Sequence, residues 1–166
     1  MKTIFGTLFL IGSFALAQAN LLNYTISMTG AQETPPNISG AAGGGIATFD
    51  TVTDMISLSV FFTGLSAPAT ASHIHDGAFG VAGPVIVSFV SVTPNATSGS
   101  IVGNFLFPVA DVSDLMAGNT YFNIHDSVFP GGEIRGQLVP VLVPEPSTLA
   151  LAGLGVAALA FFRRRG

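Results

Sequence analysis

Cysteine is absent from the 166 residues. No disulfide framework and no thiol chemistry is available, so a stable fold must come from a packed core. Charge is scarce too, at 8% of residues, and its positive half is scarcer still. Of the five basic residues only Arg135 lies between positions 20 and 143, against eight of the nine acidic ones, all but Glu145. Eight acids and one base leave that stretch at −7 with neutral histidines. This excludes nucleic acid as a partner, because gripping phosphates takes clustered Lys and Arg. It also removes any attraction to anionic lipid head groups. The short patterns of catalysis are missing as well. Many serines are present, but there is no nucleophile elbow, no phosphate-cradling glycine loop and no positioned carboxylate pair. The chain reads as a non-enzyme.

Long hydrophobic runs occur only at the two ends. Lys2 precedes an apolar stretch from Ile4 to Ala17, closing on Ala17-Gln18-Ala19. A basic start, an apolar segment of this length and a small-x-small site predict a secretory signal peptide over 1–19, removed by signal peptidase. At the other end, Val143-Pro144-Glu145-Pro146-Ser147 leads into fourteen apolar or glycine residues, Leu149 to Phe162, and then Arg163, Arg164 and Arg165. As a helix these span about 21 Å, short of the roughly 30 Å hydrocarbon core. Snorkelling arginine stems and local thinning of the bilayer offset part of that mismatch. Basic residues prefer the cytoplasmic side, which puts the preceding domain outside. On pattern alone, a buried core helix or a permanent tail anchor also fits. Pro144, Glu145 and Pro146, the apolar run and the arginines together resemble the bacterial PEP-CTERM sorting signal. The resemblance implies export, transient inner-membrane anchoring by a C-terminal transmembrane helix, and processing near Pro-Glu-Pro by an exosortase. The mature extracellular form is then expected to lack 149–166. The mean hydropathy of +0.64 reflects these ends and not a membrane-embedded core.

The remainder is long enough for one domain. Leu22, Tyr24, Ile26 and Met28 alternate with polar residues, and so do Ile56, Leu58, Val60 and Phe62, apart from Phe61. Such period-two patterning predicts strands with one buried face. Further β-rich stretches are 45–49, 71–75, 84–91, 100–107, 120–125 and 133–139. Turn signals separate them at Thr34-Pro35-Pro36-Asn37, Gly43-Gly44, Pro94-Asn95 and Pro130-Gly131-Gly132. One short helix is expected around Asp111–Met116, capped by Asp111 or Ser113. About eight short strands without helical crossovers predict an all-β antiparallel sandwich or barrel over 20–139. A proline-punctuated linker, 140–148, then joins the tail, 149–166. An internal repeat at an offset of fifty residues pairs Ile74-His75-Asp76 with Ile124-His125-Asp126, Phe79 with Phe129, and Leu65 with Leu115. It fits either two related β-units or two similar strand-to-loop exits, and the second is preferred.

Four blocks occur in order: Gly30-Ala31-Gln32-Glu33-Thr34-Pro35-Pro36, His73-Ile74-His75-Asp76-Gly77, Asn123-Ile124-His125, and Pro130-Gly131-Gly132-Glu133-Ile134-Arg135-Gly136-Gln137-Leu138. Together they resemble the CHRD domain, the module named from chordin, across about 22–138. The resemblance implies a secreted β-rich module. Chordin's growth-factor antagonism does not follow, because its ligand-binding regions lie in other modules.

The blocks also carry chemistry. On a strand His73 and His75 share one face, with Ile74 opposite. Tyr121, Asn123 and His125 share a face by the same rule, as do Glu133, Arg135 and Gln137. If the three strands are neighbours they form one polar platform. His-x-His is a recurring two-ligand element for zinc or copper, and His125 with Asp76 or Asp126 would complete a site. A β-sandwich with His-x-His resembles copper-zinc superoxide dismutase, but that enzyme's other histidines, disulfide cysteines and electrostatic loop have no counterparts. Two other readings stay open, a structural hydrogen-bonded cluster and an organic-ligand site. Glu133 and Arg135 also fit a structural ion pair. Asn23, Asn37 and Asn95 match the glycosylation acceptor pattern, which often arises by chance. Two functions follow. One is a non-enzymatic surface or matrix module, without a cofactor, engaging polysaccharide or a surface protein. The other is a small zinc- or copper-binding or redox protein using His73, His75 and His125.

Overall fold

The computed structural model describes residues 21–89 and 96–141, with isolated positions 153, 155 and 161–163. The expected signal peptide and most of the sorting tail, including Pro144, Glu145, Pro146, Arg164 and Arg165, lie outside the described residues. Arg163 is helical and exposed. Among the described residues no helix is long and apolar enough to cross a membrane.

Nine strands form one antiparallel sheet: β1 (Leu21–Thr29), β2 (Ala42–Asp50), β3 (Met55–Thr63), β4 (Ala69–Asp76), β5 (Val85–Phe89), β6 (Gly99–Leu106), β7 (Thr120–Asp126), β8 (Ile134–Gln137) and β9 (Val139–Pro140). Their spatial order is β5-β4-β7-β8-β1-β2-β3-β6, with β9 also on β1. The sheet curls into a nearly closed barrel. Phe89 of β5 meets Phe105 of β6 edge to face at 4.5 Å, bringing the two outer strands together. Of the two architectures expected, the barrel is the one formed.

The alternation seen in the sequence decides the inside. Tyr24, Ile26 and Met28 of β1, and Ile56, Leu58, Val60 and Phe62 of β3, line the core with Ile74, Phe122, Ile124 and Ile134. Ser57 and Ser59 face solvent. Gly136 sits where β8 crosses β1, and a Cβ there would run into the Ser27 carbonyl. Only glycine lets these strands approach so closely. The expected helix is α1 (Val112–Ala117). Asp111 occupies its N-cap position without a side-chain capping bond, and Gly118 ends it at φ 75.

One expectation fails in β7, where all seven residues are buried and not only every second one. Segments 30–37, 77–83 and 129–132 fold over the outer face of the barrel wall and cover it. Ile74, Ile124 and Ile134, each 0% exposed, are expected to lose about 2–5 kcal/mol on replacement by alanine. Ser57→Ala and Ser59→Ala should stay within about 0.5 kcal/mol. Denaturant unfolding measures both, and equal losses would mean the faces are inverted.

Candidate functional site

β4 and β7 are hydrogen-bonded neighbours, and β8 continues the row. The register places His73 opposite Asn123, His75 opposite Tyr121 and Ala71 opposite His125. Asn123 and Tyr121 in turn face Arg135 and Gln137. Residues two apart on a strand share a face, so all of these side chains stand on the outer wall, beneath the covering loops.

The three imidazoles converge. His73 Nδ1 lies 3.0 Å from His125 Nε2, and one ring nitrogen from each histidine falls within 4.8 Å of the others. Each strand-exit histidine is also tied to the loop that follows it. His75 Nδ1 donates to the Gly83 carbonyl at 2.9 Å, and His125 Nδ1 donates to the Pro130 carbonyl at 3.0 Å. A carbonyl only accepts, so both Nδ1 atoms carry the proton and both Nε2 atoms hold a lone pair. Here the fifty-residue repeat acquires a physical meaning, as two strand exits with the same loop-tethering histidine. The exits lie at opposite ends of an antiparallel pair.

Two features leave the cluster unsatisfied. His75 Nε2 is buried without a hydrogen-bond partner. His125 Nε2 faces the Asn123 amide oxygen at 3.0 Å as well as His73. With Nδ1 protonated, an acceptor there meets an acceptor, which a turned amide or a cation resolves.

The imidazoles are also held neutral. Burial, then the nearby His125 and His75, pushes His73 down to about 4. Burial lowers His75, with hydrogen bonds to the Gly83 carbonyl and the Asn123 side chain opposing and the Arg135 charge adding to the fall. Burial likewise lowers His125 against the Pro130 carbonyl. Desolvation disfavours the charged ring in each case.

Arg135 braces the platform. It is 1% exposed and its guanidinium lies 3.4 Å over the Tyr121 ring. Tyr121 stacks on His75 at 4.7 Å, with the planes 6° apart. The same guanidinium donates to Thr34 Oγ1, the Val81 and Ala78 carbonyls and Gln137 Oε1. Gly83 N–H donates to the Tyr121 hydroxyl, and Gln137 Nε2 holds the Gly77 carbonyl. The 77–83 loop, which supplies the carbonyl for His75, is thus clamped from beneath.

The carboxylates expected beside the histidines are elsewhere. Glu133 precedes the first residue of β8, so strand alternation does not constrain it. Its carboxylate accepts from Ser39 Oγ and from the Ser66 N–H and Oγ–H, and Arg135 is not bonded to it. Asp126 points with Ile124, away from His125. It accepts from the N–H groups of Ala67, Val128 and Phe129. Burial pushes Asp126 up, but hydrogen bonds from Glu133 and those backbone groups outweigh it and hold its pKa low. Asp76 closes β4 on the parity of Ile74 and is half-buried, and burial, then Asp114 and Asp111, raise its pKa. His73, His75, Asn123, His125 and Arg135 come together as expected, whereas Asp76, Asp126 and Glu133 do not join them.

Glu33 was missed as a site residue. Its side chain is buried, and burial raises its pKa to about 7 against the opposing Arg135. Its Oε1 has no hydrogen-bond partner. The Gln-Glu-Thr-Pro-Pro block signalled turn chemistry only, because nothing local shows that 30–37 folds onto Arg135.

The pKa shifts make stability pH-dependent. Between pH 6.5 and about 4 the folded His73 binds fewer protons than the unfolded one, so stability falls as pH drops through that window. His75 and His125 act in the same direction. Glu33 acts oppositely, since its stabilising proton is lost as pH rises from 4.5 through about 7. Asp76, whose pKa is also raised, acts with Glu33, and three imidazoles outweigh these two carboxyls, so stability should rise from pH 4.5 to 6.5. Glu33→Gln should steepen the rise. Thermal melts across this range check it, and a flat profile would mean the rings are not desolvated.

The family profile of the CHRD domain matches residues 24–138, and that of the PEP-CTERM protein-sorting motif matches 142–165. No curated protein and no solved structure gives a significant match. The sorting motif directs export to the cell envelope or surface with transient membrane anchoring, and implies processing by an exosortase. With its profile match spanning the barrel from β1 to the end of β8, the chain belongs to the CHRD domain family.

Proposed function

We propose that this exported barrel is a non-enzymatic binding module of the cell envelope whose ligand is one transition-metal ion, held by His73, His75 and His125. The observation that carries the reading is the convergence of three imidazoles, one ring nitrogen from each within 4.8 Å of the others. His75 Nε2 is buried there and lacks a close hydrogen bond, and the Asn123 side chain is the platform's one hydrogen-bonding group acting on that ring. Buried polar atoms rarely go unpaired, and a metal is the partner for which neutral imidazoles are the usual donors. The Gly83 and Pro130 carbonyls fix the two Nδ1 protons and aim each Nε2, as the backbone acceptors behind metal-bound histidines do. Lowered imidazole pKa values support the same reading, since ligation requires the neutral ring. The domain limits of 20–139, with linker 140–148 and tail 149–166, are part of this proposal. They leave a compact acidic barrel once the tail is removed. Engagement of polysaccharide or a surface protein is the alternative envelope role.

The test is elemental analysis of the untagged protein, recovered from the envelope without chelators. About one equivalent of zinc or copper is expected, and none in His75→Ala. Protein that contains no stoichiometric metal and cannot be reloaded overturns the reading.

A further inference from the structure

We infer that the ion preferred by this site is monovalent copper over any divalent ion, a conclusion that rests on the metal-binding reading above. The basis is the charge inventory around the cluster. All three ligands are neutral imidazoles, and the other side chains on the platform apart from Arg135, namely Asn123, Tyr121 and Gln137, carry no acidic group. The acids nearest in sequence are turned away. Asp126 and Glu133 are engaged on the opposite face by backbone and serine groups, and Asp76 faces Asp114 and Asp111.

What does stand nearby is a cation. Arg135 lies 3.4 Å over one face of Tyr121, and His75 is stacked on that same ring. Among the described residues the carboxyl acting on Arg135 is Glu33, which burial leaves partly protonated near neutral pH. A dication would therefore add two positive charges beside a third, in a partly buried site with no carboxylate on the platform to compensate. Uncompensated buried charge is costly, and the cost grows steeply with charge in a low dielectric. A single positive charge is the least unfavourable cargo.

Coordination number is neutral between monovalent copper and zinc, because three histidines and one solvent position also make an ordinary zinc site. Imidazole alone does not discriminate, because soft sulfur donors are what ordinarily select monovalent copper and none is present. Here charge, not softness, performs the selection.

The test compares three ions on the same protein. The purified mature protein, stripped of metal, is titrated anaerobically with Cu(I) against a Cu(I) chelator, and separately with Cu(II) and Zn(II) against chelators of their own. Cu(I) should bind at least about 100-fold more tightly than either. Relative to the aqueous couple, that ratio over Cu(II) raises the potential of the bound copper by about 120 mV, at 59 mV per tenfold. Zn(II) or Cu(II) binding as tightly as Cu(I) overturns the preference while leaving the metal site intact. Failure of all three ions to bind overturns the metal site itself, and the preference with it.

A second arm tests the cause. Asn123→Asp preserves shape and adds a carboxylate at the cluster, 3.0 Å from His125 Nε2 in the parent. It should cut the Cu(I)-to-Zn(II) ratio at least tenfold. An unchanged ratio overturns the charge explanation.

Discussion

Arg135→Ala is expected to destabilise the domain by about 3–5 kcal/mol, measured by denaturant unfolding. The substitution removes the only basic residue between 20 and 143. Four acceptors lose their donor at once, Thr34, Val81, Ala78 and Gln137, and the two covering segments 30–37 and 77–83 lose their common anchor. Glu33 loses the charge that opposes its desolvation. Arg135→Lys should recover less than half of the loss, because an ammonium cannot span acceptors on both sides of a planar fork or stack flat on Tyr121. A cost below about 1 kcal/mol for the alanine variant would show that the loops hold without it.

Saturating metal is expected to raise the stability of the parent protein by about 4 kcal/mol when the free ion is a thousandfold above its Kd. For a domain of this size that is a shift in Tm of about 10 °C or more. His73→Ala should abolish the shift. The same variant without metal should differ from the parent by less than about 1 kcal/mol, because His73 is half-exposed and its hydrogen bond is to another imidazole. This pair of measurements separates a metal ligand from a structural strut. A strut would lower stability in the metal-free protein and leave no metal-dependent shift to lose. Thermal melts with and without Cu(I) or Zn(II) decide between them.

The platform itself was legible from spacing. His73 and His75, Asn123 and His125, and Arg135 and Gln137 lie two apart, and alternation alone assigns each pair to the face opposite Ile74, Ile124 and Ile134. The fifty-residue repeat marked the two strand exits that carry tethered histidines. Spacing did not reveal the destination of the acids. Glu133 stands one residue outside its strand, and Asp126 follows the core-facing parity of Ile124, so neither obeys the platform's rule. Nor did spacing show that β7 is buried on both faces. That depends on loops 30–37, 77–83 and 129–132, whose partners lie between about 50 and 100 residues away in the chain.

By itself the sequence determined the export and sorting ends, the absence of disulfides, the all-β class and the residues that share the histidine face. Each of these rests on composition or on a period of two, which are local properties of the chain. Tertiary structure alone decided that the sheet curls into a nearly closed barrel, that Arg135 sits buried between Tyr121 and the covering loops, and that Glu33 lies against it. It also decided which ring nitrogens carry protons, because that depends on the Gly83 and Pro130 carbonyls delivered by loop closure. A histidine's charge and tautomer are set by what surrounds it in space, and no feature of the neighbouring sequence encodes that.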